Sequence, residues 1–124
     1  MNEKDLMIGD RVRVKLSQHD TTVTNIDSNS VYTEAAFPLR YDEIEPIPLN
    51  PEILKKNGLE KAKYYKSMYW SYNTDEHVKV DVSSDGDNFI EVRGEKGQYN
   101  GYCKFIHDFQ HALRLCGIEK EIIL

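Results

Sequence analysis

The sequence predicts an α+β protein with a curled antiparallel sheet at the N-terminus and a second small antiparallel sheet packed by one C-terminal helix. Three observations predict it. Residues 11–16 and 77–82 alternate charged and apolar side chains with the two-residue period of half-buried strands. Residues 46–48 (Pro-Ile-Pro) interrupt the strand pattern. Residues 104–116 carry apolar side chains at helical spacing.

The N-terminal part of the chain is predicted to be entirely β. In residues 11–16 the alternation points Val12, Val14 and Leu16 into a core. The turn-forming residues 27–30 separate the next two strands, since Asp, Asn and Ser bond their own backbone. The further predicted strands are residues 21–26, residues 30–33 and, more weakly patterned, residues 39–44.

The opening of this part has the pattern hydrophobic-Gly-Asp-x-Val-x-Val, carried by Ile8, Gly9, Asp10, Val12 and Val14. It resembles the first strand of SH3-like barrels of the KOW and Tudor sort, over some forty residues. The resemblance implies an SH3-like β subdomain at residues 1–48, leaving residues 49–124 as an α+β subdomain.

A short helix is predicted to open the second subdomain. Asn50 is a good N-cap, and Pro51 suits the first helical position. Gly58 fits the position just past the helix end, where a left-handed backbone closes the last turn. A helix over residues 51–57 is only two turns long, so it must dock on other elements to be stable.

The middle of the chain is predicted to be β with one ambiguous segment. Residues 62–72 fit either a strand or a helical turn, and both interpretations stay open. Residues 77–82 and 89–93 form a predicted hairpin around the loop 83–88. After a turn at residues 94–97, Tyr99 and Tyr102 are expected to lead into the long helix.

The long helix is predicted over residues 104–116, with Gly117 at its C-terminal close. The segment after it ends in Ile122, Ile123 and Leu124. Such an apolar tail is expected to dock as an edge strand, and pairing of that strand across a dimer axis leaves a homodimer open.

Composition and charge exclude several classes of protein. The chain has 124 residues, a net charge of −5 and two cysteines, Cys103 and Cys116, without a CxxC spacing. An acidic chain is unsuited to binding nucleic acid or anionic membranes by bulk charge. The sequence shows no apolar segment of a signal peptide or membrane span. We therefore expect a cytoplasmic protein with reduced thiols, no membrane association and no cofactor.

Basic and aromatic residues interleave in one segment, residues 61–72. Aromatic rings stack on bases and lysines hold phosphates, so this segment is the candidate surface for a protein or nucleic-acid partner. The candidate partner-binding residues are Lys61, Lys63, Tyr65, Lys66, Tyr69 and Trp70. The alternative is that half of the rings face the core and the lysines only solubilise the surface.

The predicted long helix contains His107 and His111, four residues apart. Two histidines at this spacing can share a metal ion, as in zinc hydrolases of the HExxH type. Here position 108 is Asp instead of Glu, and a helical wheel puts both histidines opposite the apolar stripe, toward solvent. A small metal-dependent hydrolase is therefore the alternative function. No catalytic residue is assigned.

Two longer segments, PIPLNPEILKKNG (residues 46–58) and YCKFIHDFQ (residues 102–110), complete the sequence evidence. Together they resemble an uncharacterised family of small proteins of gut anaerobic bacteria and their phages and mobile elements. The resemblance implies a cytoplasmic protein associated with mobile elements and carries no activity or site residue. The expected function is that of a non-enzymatic interaction module.

Overall fold

The computed structural model describes residues 1–35, 37–73 and 75–124. They divide into two compact units, Met1–Ile47 and Pro48–Leu124. The first unit contains a four-stranded antiparallel sheet, and the second contains a five-stranded antiparallel sheet with two helices. The predicted α+β class is confirmed. In the described part of the chain, no helix has both the length and the apolar character needed to cross a membrane.

The sheet of the first unit has the strand order β3-β2-β1-β4. Its strands are β1 (Arg11–Val14), β2 (Asp20–Ile26), β3 (Val31–Thr33) and β4 (Ile44–Glu45). Its core is an aliphatic cluster to which each strand contributes. The buried members are Leu6, Val12, Val23, Val31, Leu39 and Ile44.

Two predictions for this unit are wrong in detail. Leu16 is 98% exposed and does not face the core, because β1 ends at Val14 and Leu16 lies in the following turn. The predicted strand 39–44 is interrupted by a 3-10 helix, Tyr41–Glu43. Only Leu39, which bridges to Val31, and Ile44 of β4 pair with neighbouring strands.

The five strands of the second unit follow one another in space as they do in sequence. They are β5 (Glu60–Lys61), β6 (Met68–Tyr72), β7 (His77–Asp81), β8 (Asn88–Gly94) and β9 (Gly97–Cys103). The ambiguous segment thus contains a strand, β6. Tyr99 and Tyr102 lie in β9, a strand that the sequence pattern did not predict and that pairs with β8 along its whole length.

Both predicted helices are present, as α1 (Pro51–Lys56) and α2 (Ile106–Leu115). The Asn50 side chain accepts a hydrogen bond from the Ile53 amide, as expected of an N-cap. Past α1, Gly58 has φ +86°, and the amide that follows it donates back into the last turn. Gly117 (φ +81°) ends α2 in the same way.

The apolar tail docks, but the prediction that it forms an edge strand is wrong. Residues 117–124 have no regular secondary structure, although Ile118 and Ile122 are buried. The buried side chain of Asn57 holds the tail: its Nδ2 donates to the Ile123 carbonyl and its Oδ1 accepts from the Ile123 amide, both at 2.8 Å. The tail therefore offers no strand for pairing across a dimer axis.

Candidate binding face of the five-stranded sheet

The two faces of the five-stranded sheet have different surroundings. Successive side chains of a strand point to opposite faces, so each strand contributes to both. On one face, α2 packs against β8 and β9, and α1 packs against β5. We call this the covered face. Its buried strand residues include Tyr69, Val78, Val80, Ile90 and Val92.

The other face, which we call the open face, consists of three rows of side chains that run across the strands. Directly paired residues of antiparallel strands share a face, so the register defines each row. One row is Tyr72, His77, Arg93 and Gln98. The second is Glu60, Trp70, Lys79, Glu91 and Asn100, and the third is Met68, Asp81, Phe89 and Tyr102.

Aromatic rings form two clusters on the open face. In the first, Tyr72 makes edge-to-face contacts with Trp70 and with His77, at centroid distances of 5.5 and 4.3 Å. In the second, Phe89 and Tyr102 make the same kind of contact at 5.4 Å. Tyr72 is 57% exposed and Tyr102 is 67% exposed. The clusters therefore fix ring orientations while leaving large apolar surfaces uncovered.

Polar side chains enclose a shallow pocket of about 230 Å³ beside the first cluster. Its lining includes His77, Glu91, Arg93, Gln98 and Asn100. Partial burial, and then the charge of Arg93, hold the pKa of His77 below its ordinary value. The imidazole is thus mainly neutral at pH 7, and the pocket combines the guanidinium of Arg93 and the carboxylate of Glu91 with neutral donors and acceptors.

The predicted partner-binding residues do not all belong to this face. Trp70 lies on it, whereas Lys61, an exposed residue of the edge strand β5, pairs with Tyr69 and therefore points to the opposite face. Lys63, Tyr65 and Lys66 are exposed in the connection between β5 and β6. Tyr69 is excluded from a binding surface because it is 5% exposed. It neighbours Trp70 in the strand and therefore points to the covered face.

Most residues of the open face are not evident from the sequence. Tyr72 and Trp70 both fall in the segment 61–72, whereas Phe89, Arg93, Gln98 and Tyr102 lie in other segments that were not connected with it. The alternation along residues 77–82 and 89–93 separates the two faces of β7 and β8 and was a usable signal. The pairing of Phe89 with Tyr102 depends on the register of β9, which the sequence did not predict.

The prediction that His107 and His111 face solvent is wrong for His107, which is only 4% exposed. A helical wheel includes only the residues of the helix itself. Here Phe105, just before α2, stacks on the His107 ring with a centroid distance of 5.9 Å and covers it. The two imidazoles lie edge to face at 5.7 Å. Within the described residues, no group of three or more His, Cys, Asp or Glu side chains is arranged to hold a metal ion.

The two cysteines are free, buried thiols. Burial raises the pKa of Cys103 to about 12, with a smaller contribution from the charge of Asp108. Burial also raises the pKa of Cys116. Because the thiolate is the reactive form, both side chains behave as small apolar residues at neutral pH.

No family model, curated protein or solved structure matches the chain. Its function is therefore inferred from the geometry of its own residues.

Proposed function

We propose that the chain is a non-enzymatic binding module that holds single-stranded nucleic acid on the open face of its five-stranded sheet. The observation that carries the proposal is the presence of two exposed aromatic clusters on one uncovered sheet face. A broad face of this kind suits an extended ligand better than a small substrate, which binds in an enclosed cavity.

Stacking supplies the main favourable term. Each base that stacks on an exposed ring contributes about 1–3 kcal/mol, and the interaction tolerates any base because every base has a π-face. Trp70 and Tyr72 lie on β6, whereas Phe89 lies two strands away on β8. Two strand spacings amount to roughly 10 Å, so the clusters can hold different nucleotides of one strand.

The polar pocket supplies groups that suit the rest of a nucleotide. The amides of Gln98 and Asn100 each carry donors and an acceptor, which match the edges of bases. Arg93 presents a guanidinium next to them, and guanidinium groups pair with phosphate oxygens in a bidentate geometry. The pocket adjoins Tyr72 through His77, so stacking and polar contacts fall on the same nucleotide.

Charge limits the strength of this interaction. Residues 48–124 include eleven basic and twelve acidic side chains, so the unit has no bulk attraction for phosphates. On the open face, Lys79 lies 3.9 Å from Glu91 and is partly neutralised by it. We expect a shallow salt dependence, with a slope of about −1 in log affinity against log salt, as for one or two phosphate contacts.

The test is fluorescence anisotropy of labelled single-stranded RNA and DNA with the full chain. Tyr102→Ala should weaken binding about 5- to 100-fold, the equivalent of one lost stacking ring. Tyr64→Ala is the matched control, because Tyr64 is 83% exposed but lies in the connection before β6. Its affinity should match that of the unchanged protein.

Two results would contradict the proposal. One is no binding of either nucleic acid at about 100 µM protein, weaker than ordinary non-specific binding. The other is a loss of affinity in Tyr64→Ala with none in Tyr102→Ala, which would assign binding to the segment 61–72 instead of the open face. A partner protein on this face would give the first result.

The sequence alone supports the proposals on the fold of the first unit, the cellular location and the association with mobile elements. The opening Gly-Asp-x-Val-x-Val pattern supports an SH3-like assignment for the first unit, whose sheet is small and antiparallel. The resemblance of residues 46–58 and 102–110 supports a cytoplasmic protein associated with phages or mobile elements. Co-purification of its partners from the native host tests both the location and the association.

A further inference from the structure

The first unit contains a groove of about 860 Å³ that the proposed nucleic-acid function does not use. It lies between the turn that follows β1 and the segment that leads to the 3-10 helix Tyr41–Glu43. Its apolar lining includes Val14, Leu16, Phe37 and Leu39. All of its lining residues belong to this unit.

The apolar lining is unusually exposed. Leu16 is 98% exposed and Phe37 is 68% exposed, although both are large apolar side chains. Val14 and Leu39 continue the same apolar surface into the groove, where Leu39 is 6% exposed. Contiguous exposed apolar surface that lines a groove is typical of an interaction site, whereas single exposed residues are ordinary.

The polar lining is mainly acidic. Carboxylates of Asp20, Glu34, Asp42 and Glu43 line the groove, together with Lys15 and the imidazole of His19. Arg13 neutralises Asp20 at 2.9 Å, but Arg40 lies 3.4 Å from both Asp42 and Glu43 and is itself highly exposed. Such exposed pairs contribute little, so a cation brought by a partner can replace Arg40.

The first unit as a whole is negatively charged, like the lining of its groove. Residues 1–47 include nine acidic and five basic side chains, a net charge of −4. Its field attracts cations and repels phosphates, which excludes nucleic acid as the occupant. An apolar groove in an acidic unit is complementary to a segment that combines lysine or arginine with an apolar anchor.

We propose that this groove binds a basic peptide segment of a partner protein, with an apolar side chain seated between Leu16 and Phe37. The flanking cations of that segment lie against Glu34, Asp42 and Glu43. The chain then has a protein-binding site in its first unit, separate from the open face of the second.

The test uses the full chain and a short fluorescein-labelled peptide in which lysines and arginines flank two leucines. A second peptide with glutamates in place of every cation tests the charge requirement. We expect binding of the basic peptide only, with a dissociation constant of about 10–100 µM. Leu16→Ser and Glu34→Lys should each weaken it about tenfold.

Matched variants locate the site. Ile8→Ser removes another large exposed apolar side chain, 63% exposed, that does not line the groove. Asp5→Lys makes the same charge change as Glu34→Lys at an exposed position away from it. Both controls should bind the basic peptide like the unchanged protein, and all four variants should unfold at unchanged temperatures because each position is exposed.

Three results would overturn the proposal. If the acidic peptide binds as tightly as the basic one, charge complementarity does not drive binding. If Asp5→Lys and Glu34→Lys lose equal affinity for the basic peptide, binding depends on the total charge and not on this groove. A dimer in light scattering that Leu16→Ser converts to a monomer assigns the groove to a second copy of this chain.

Discussion

The covered and open faces of the five-stranded sheet are made by alternate residues of the same strands, yet they differ in composition. The covered face has mainly β-branched aliphatic side chains, such as Val80 and Ile90, which are at most 1% exposed. The open face has aromatic, charged and amide side chains. Neighbours such as Phe89 and Ile90 therefore have different roles.

The covered face therefore stabilises the unit, whereas the open face leaves side-chain surface exposed to solvent. An antiparallel sheet commonly packs one face on a core and leaves polar residues on the other. Here Tyr72 and Tyr102 keep more than half of their surfaces in water. Their rings therefore contribute little to folding, and most of the surface that they could bury remains available to a ligand.

The largest expected difference in stability is between substitutions of two adjacent residues of β8. Ile90→Ala should lower the free energy of unfolding by about 3 kcal/mol, because it leaves a cavity under α2. Phe89→Ala, on the open face, should cost less than about 1 kcal/mol, mainly through its contact with Tyr102. Urea denaturation of both variants measures the difference. Equal losses would mean that the two faces contribute equally to stability.

A second comparison uses two asparagines. Asn57 is 4% exposed and holds both Ile53 and Ile123 by hydrogen bonds, whereas Asn100 is exposed on the open face. Asn57→Ala should cost about 2 kcal/mol, since it removes the hydrogen bonds that hold the partly buried backbone of the tail. Asn100→Ala should change stability by less than about 0.5 kcal/mol. Thermal unfolding of both variants measures the difference. An unchanged unfolding temperature in Asn57→Ala would contradict this account.

The smallest effect concerns pH. Burial, followed by the charges of Arg93 and Lys79, lowers the pKa of His77 in the folded protein, while Glu91 opposes this. Below the ordinary histidine pKa of 6.5 the unfolded chain therefore binds more protons, and stability falls as the pH falls. From about pH 7.5 to about pH 5.5, the unchanged protein should lose more stability in urea than His77→Gln. An equal or larger loss in the variant would show that His77 is not held neutral.

Much of the local structure could be predicted from the sequence because its determinants are local. Asn50, Gly58 and Gly117 cap the helices by contacts within a few residues. The strand β9 was missed because its glycines and asparagine disfavour strands in isolation. In the structure, position 101 favours glycine, because a side chain there would clash with the Tyr99 ring.

The candidate site was harder to predict because it is assembled across strands. Phe89 and Tyr102 meet only through the register of β8 and β9, and Tyr72 meets His77 through that of β6 and β7. Within the basic and aromatic segment 61–72, Trp70 lies on the open face, whereas Tyr69 is buried on the covered face. Composition within a segment does not distinguish two residues that point to opposite faces of one strand.

The most direct test of the open face as a nucleic-acid site uses Trp70, the single tryptophan of the chain. Titration with single-stranded RNA or DNA should quench its emission through stacking and should protect it from acrylamide, with the same midpoint as the anisotropy change. Binding by anisotropy with unchanged Trp70 emission and unchanged acrylamide quenching would contradict the account, because the nucleic acid would then lie elsewhere.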